Sequence, residues 1–287
     1  MTIFHLHRSH EAKRQKIRDK IIKAHAEIEK YPDGFLKVWQ LLTLKIDVSQ
    51  VSVSTKGIIK FRPRFFLPLS SQTIRTCLST KLSNKAALDE ETPKCLGCPG
   101  SRVSILSITR CPFILDLCRD KFATAVRRGF CLDNLTILRE CGATNKGKWK
   151  HQPGFELIDE KLSTDRWQIL RILEDVEHEV PHVVFDIRQN VDVDKVKSLT
   201  VGEVKAILRV MAVRMELDCY RQHLIMPILV VSYLNSTQGR ILQAHHNGKR
   251  VVIQHTKILE FEGLKHRPVE LFLRYYGSQP IGETVSI

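Results

Sequence analysis

Cysteines and histidines are the residues of this chain best suited to chemistry, and their spacing limits what they can do. Cys95-Leu96-Gly97-Cys98 has the C-x2-C spacing of half a tetrahedral zinc site. A second half is hard to find. Cys111 and Cys118 are seven residues apart, which on one helix separates them by roughly 10 Å along the axis. Zinc holds each sulfur only about 2.3 Å away, so this pair does not close on one ion. His151 is a single further ligand, not a second pair. His5, His7 and His10 sit at a chain end, where three ligands are rarely held in place. No metal or cofactor is expected.

His245, His246 and His255 form a second histidine group. On a hairpin, His246 and His255 share a face but lie far apart, and His245 points the other way. They are expected to line a half-exposed strand surface. No catalytic template is present: the chain lacks G-x-G-x-x-G, the P-loop, G-x-S-x-G and H-E-x-x-H. His255-Thr256-Lys257 ends a strand, but a nuclease-type site wants an acidic residue where His255 stands. No catalytic residue is therefore assigned.

Charge is the stronger signal. The 287 residues carry 45 Lys+Arg against 31 Asp+Glu, a net of +14. Residues 1–150 hold 28 basic and 13 acidic residues, and the rest hold 17 and 18, so the whole excess lies in the first half. Seven of the eight cysteines lie there too. Such a surface either contacts a polyanion, most often nucleic acid, or only aids solubility. The hydrophobic fraction of 43% excludes wholesale disorder. The longest apolar run, Leu224 to Val231, is too short for a membrane span. Met1 to His10 lacks a secretory core, so the expected setting is intracellular, nuclear or cytoplasmic, with reduced thiols and no membrane partner.

The elements that must position these residues follow from periodicity. Ile17, Ile21, Ala24 and Ile28 make one apolar stripe, predicting a helix over Ser9 to Lys30. Its other faces carry Lys13, Arg14, Lys16, Arg18, Lys20 and Lys23, the candidate nucleic-acid-binding residues. Asp33 is placed to cap a second helix with Phe35, Val38, Trp39 and Leu42. Alternation at Val48, Val51 and Val53 suggests strand, with a short hairpin around Lys56-Gly57. Residues 62–110 show no sustained period and are expected to be loop or disorder.

After Thr109, Cys111-Pro112 opens a predicted helix closed by Gly129, and Asp133 caps a shorter one. Trp167, Leu170, Leu173 and Val176 predict a helix over Ser163 to Glu177. Thr200-Val201-Gly202-Glu203 is a capping box opening another. Leu224 to Leu234, Gly239 to His246 and Lys249 to Leu259 read as strands, the last two joined by the hairpin signal Asn247-Gly248. That turn sets His246 opposite Lys249, Ala244 opposite Val251 and Leu242 opposite Ile253. Pro268 to Tyr276 closes with a helix.

Two likenesses carry expectations. Residues 121–140 resemble the helix-turn-helix family of DNA binders at Ala125, Gly129, Phe130, Leu135 and Leu138, although Thr124 and Arg128 depart from the pattern. That resemblance implies a second helix presenting Asn134, Thr136 and Arg139 to the major groove; an ordinary helical hairpin is the alternative. Gly239-Arg240-Ile241-Leu242-Gln243-Ala244-His245, Gly248-Lys249-Arg250-Val251-Val252, Pro268 to Arg274 and Gln279-Pro280-Ile281-Gly282 resemble the C-terminal region of a group of uncharacterised fungal proteins, over residues 165–287. That resemblance implies a domain without an assigned activity.

The expected fold class is α+β. Helices would pack on a three-stranded antiparallel meander in an α+β domain at 151–287. The N-terminal half would be helical and partly disordered: a basic helical region at 1–61, a low-order segment at 62–110 and a short helical hairpin at 111–150. The expected function is non-enzymatic binding of nucleic acid or an acidic protein through the basic half. The rival is an enzyme with a non-standard site on the polar hairpin face over 240–257: Gln243, His245, Arg250 and Gln254. Oligomeric state is left open.

Overall fold

A computed structural model describes residues 2–77, 136–140, 167–193, 198–235, 237–261 and 267–287. Helix α1 spans Thr2–Ile28 and its predicted stripe is buried, with Ile21 and Ile28 fully enclosed. A short helix α2, Val38–Thr43, leads directly into strand β1, Ile46–Gln50. Next come β2 (Phe66–Leu67), α3 (Ser71–Cys77), β3 (Leu138–Glu140), β4 (Gln168–Asp175) and β5 (Val183–Arg188). Helix α4, Val201–Glu216, starts at the predicted capping box. Thr200 Oγ1 accepts from Glu203 N at 3.0 Å, and Thr200 N donates to Glu203 Oε2 at 2.9 Å. Strands β6 (Ile228–Tyr233), β7 (Gln238–His246), β8 (Val251–His255) and β9 (Leu259–Glu260) follow, then α5 (Arg267–Tyr276) and β10 (Gln279–Pro280).

The expected three-stranded meander is corrected to an eight-stranded mixed sheet ordered β1-β8-β7-β6-β5-β4-β3, with β9 pairing the end of β7. β6, β7 and β8 do form an antiparallel meander, but β5 joins β6 in parallel and β1 joins β8 in parallel. A second sheet is β10 with β2. Both faces of the large sheet are covered. On one face α1 and α4 pack over Phe185, Ile187, Ile228, Val230, Leu242 and Ile253. On the other, α5 and residues 59–74 pack over Leu173, Val184, Leu229, Val231 and Ile241. All six β6 residues are buried, as expected of a central strand enclosed on both sides.

The predicted helix over Ser163 to Glu177 is corrected to strand β4. Its register against β5 shifts between Ile169 and Arg171. This irregularity turns Leu170 and Leu173, three residues apart and both in the expected stripe, onto the α5 face. Spacing of three on one face imitates a helix.

The β7–β8 hairpin is also re-registered. His246 pairs Val251, Ala244 pairs Ile253 and Leu242 pairs His255, two residues beyond the expected pairing. The turn is the four residues Asn247 to Arg250, with Gly248 at φ +85°. Asn247 N donates to Arg250 O at 3.0 Å and Asn247 Oδ1 accepts from Lys249 N (3.0 Å) and Arg250 N (2.9 Å), an Asx-type lock around Gly248 and Lys249. A slip of two preserves the faces, so Leu242, Ala244, Val251 and Ile253 still share the core side.

Part of the segment expected to be loop or disorder, residues 62–77, carries β2 and α3; residues 78–110 lie outside the described residues. Of the helix-turn-helix region only 136–140 is described. There Leu138–Glu140 is strand, not recognition helix, and Thr136 Oγ1 donates to Ser278 O at 2.9 Å. Asn134 and the cysteines Cys95, Cys98, Cys111 and Cys118 lie outside the described residues.

Candidate functional site

The six basic residues predicted on α1 divide into two groups. Arg14 is buried, with 8% exposure. Its guanidinium donates to Met215 O (2.6 Å), Tyr220 O (2.8 Å) and His223 O (2.6 Å). Met215 lies in the last turn of α4, where carbonyls have no partner within the helix, so Arg14 serves as a cap supplied by another element. Arg18 faces the same way and pairs with Glu216 at 2.6 Å. Both are occupied inside the fold.

Lys13, Lys16, Lys20 and Lys23 are spaced three, four and three residues apart. At about 100° per residue they fall within roughly 80° on one flank of α1, the flank away from α4. Lys13, Lys16 and Lys23 are exposed and Lys20 is half-buried. The row is about 15 Å long. Lys20 Nζ donates to Gly248 O at 2.9 Å, which places the row beside the β7–β8 turn with exposed Lys249 and Arg250. Ile46 pairs with Val251, so exposed Lys45 and Arg250 open adjacent parallel strands. The result is a basic corner of seven cations: Lys13, Lys16, Lys20, Lys23, Lys45, Lys249 and Arg250. Three of the seven already have partners in the fold: Arg250 pairs with Asp47 at 2.8 Å, and Lys13 and Lys20 donate to the backbone oxygens of Ile287 (3.2 Å) and Gly248. These backbone bonds leave both ammonium charges uncompensated, so the corner keeps a positive excess that the groove on the other side of α1 lacks.

Lys45, Lys249 and Arg250 were not among the predicted nucleic-acid-binding residues. The Asn247-Gly248 turn signal places Lys249 and Arg250 at a strand end. No local pattern announces that residues 20 and 248 touch.

On the opposite flank of α1 lies a groove of about 830 Å³, lined by Arg14, Arg18, Glu11, Glu216, Asp218 and Arg221 among others. Its charges are matched: Arg18 with Glu216, and Arg221 with Asp218 at 3.2 Å. Neither sign is left in excess to select a ligand.

The polar hairpin face, expected to be solvated or to line a cleft, is buried under residues 62–66. Gln243 is fully buried: Oε1 accepts from Phe65 N (3.0 Å) and Nε2 donates to Pro63 O (2.8 Å). Gln254 Oε1 accepts from Arg62 N at 2.8 Å. His245 packs on Phe65 with ring centroids 5.0 Å apart. These side chains satisfy the backbone of a crossing segment and leave no open cleft among them. Only Arg250 of that set is exposed.

The histidines expected on a half-exposed surface are likewise enclosed, His245 at 4% and His246 at 1% exposure, with His255 partly buried. Burial holds His182, His245 and His246 down at about 4, so they are neutral at physiological pH. His246 Nδ1 accepts from Gly248 N at 2.9 Å, and the Lys20 ammonium adds to the lowering. A neutral imidazole thus buttresses the turn that carries Lys249 and Arg250.

The chain matches no protein-family model, and comparison with characterised proteins and with solved structures gave no match. Among the described residues no helix is long and apolar enough to cross a membrane.

Proposed function

We propose that this protein binds nucleic acid through the basic corner, in a non-enzymatic role. The observation that carries the reading is the convergence of four lysines in one row on α1 with Lys45, Lys249 and Arg250 from three separate stretches of chain. A row about 15 Å long suits the repeating charge of a phosphate backbone, which releases counterions as lysines engage it. The mixed-charge groove and the buried hairpin face offer no comparable surface.

Lys13, Lys16, Lys20 and Lys23 replaced together by Gln provide the test, with labelled DNA titrated over a salt series. Wild type is expected to bind near physiological ionic strength. The quadruple variant should lose affinity, and its salt slope should flatten by up to about 0.9 per lost duplex phosphate contact. Arg221→Gln, in the groove, should leave both unchanged. No binding near physiological salt, or an unchanged slope in the quadruple variant, rejects the reading.

A further inference from the structure

We infer that the basic corner takes single-stranded nucleic acid, with a base stacked on Trp39. This rests on the nucleic-acid reading and narrows it to one ligand class. α2 turns Leu41 into the core at 6% exposure while Val38, Trp39 and Leu42 stand at 71%, 57% and 62%. At helical spacing these three make one outward apolar face. The indole is not loose. Tyr31 meets it edge-on, centroids 6.4 Å apart at 74° between planes. Tyr31 itself packs against the core.

Position ties this face to the corner. α2 ends at Thr43 and Lys45 follows, the residue that stands beside Arg250 at the head of the parallel β1–β8 pair. Trp39 stands six residues before Lys45, joined to it by the rest of this short helix and a turn in which Lys45 takes φ +56°. An exposed, braced aromatic next to a cationic track is the pairing that single strands use: phosphates follow the cations and an unstacked base covers the ring. A duplex keeps its base faces hidden and leaves the indole uncovered. An acidic protein segment would satisfy the charge but has no base to stack.

The full chain is titrated with three probes at fixed salt: a 20-residue oligothymidylate, a duplex of equal length, and heparin, a polyanion without bases. The oligothymidylate should bind more tightly than the duplex. Trp39→Ala should weaken it about 10-fold or more, leaving its salt slope and the affinities for duplex and heparin unchanged. Trp39→Phe should recover part of the loss. Tryptophan fluorescence of the wild type should be quenched by oligothymidylate, and that quench should vanish in Trp39→Phe. Because Trp39 is on the surface, the variants should unfold at the wild-type temperature, which separates lost stacking from lost structure.

Equal affinity for single strand and duplex overturns the inference. So does a Trp39→Ala variant that binds oligothymidylate as the wild type does, or weakens heparin equally. Tighter binding of polyglutamate than of oligothymidylate overturns it in favour of an acidic protein partner. If lysine replacement matters and Trp39 replacement does not, only this inference falls. If no nucleic acid binds at all, the reading beneath it falls too.

Discussion

Acid should destabilise this protein well before its carboxylates protonate, and three buried histidines set the size of the effect. His182, His245 and His246 are 2%, 4% and 1% exposed, and burial lowers each from 6.5 to about 4. In the unfolded chain they titrate near 6.5. A depressed folded value means that stability is complete above about pH 6.5 and is lost as pH falls towards 4. Between pH 7.5 and pH 5 the linkage amounts to about 2 kcal/mol per histidine, or about 6 kcal/mol for the three. A whole domain commonly has about 5–15 kcal/mol. Burial also lowers His25, His223 and His255, which adds in the same direction. His245→Phe isolates one share, because its Nδ1 has no hydrogen-bond partner to lose and its ring already packs on Phe65. Urea unfolding followed by circular dichroism at pH 7.5 and pH 5.0 gives the loss within each protein, so any change at neutral pH cancels. The variant should lose about 2 kcal/mol less than the wild type across that interval. An equal loss in both proteins would refute the assignment of His245 as a buried neutral group.

Two further substitutions test the division of α1 and the buried hairpin face. Arg14→Gln removes a cation that serves three carbonyls and should cost about 2–4 kcal/mol in urea unfolding, whereas Lys16→Gln, exposed, should stay within about 0.5 kcal/mol. Similar costs would mean that Arg14 does not cap α4. Ile253→Ala, fully buried, should cost about 2–5 kcal/mol. Gln254→Ala should cost about 1–3 kcal/mol because the Arg62 amide loses its acceptor; a negligible cost would show that residues 62–66 are not docked on the hairpin.

Local rules explain what was legible without a fold. α1, the capping box of α4, the three strands from Ile228 to His255 and the closing helix each follow from side-chain period and from caps that act within a few residues. The row of lysines was legible too, since helical spacing alone puts Lys13, Lys16, Lys20 and Lys23 on one flank. What misled was local as well: the irregularity in β4 put Leu170 and Leu173 on one face and so mimicked a helix, and the hairpin closed one residue later than Asn247-Gly248 signalled, over Gly248 and Lys249.

Tertiary structure decided the rest, and the reason is distance along the chain. Parallel pairing of β1 with β8 joins residues about two hundred positions apart, and no short pattern encodes such a partner. That pairing brings Lys45 to Arg250 and completes the basic corner. Helical spacing does separate Arg14, which continues the buried stripe of Ile17, Ile21, Ala24 and Ile28, from exposed Lys16; the carbonyls that receive its guanidinium come from residues 215–223 and only the fold brings them there. The polar residues Gln243 and Gln254 show the same limit. Alternation put them on the face opposite Leu242 and Ile253, but whether water or residues 62–66 would cover that face was set by the fold.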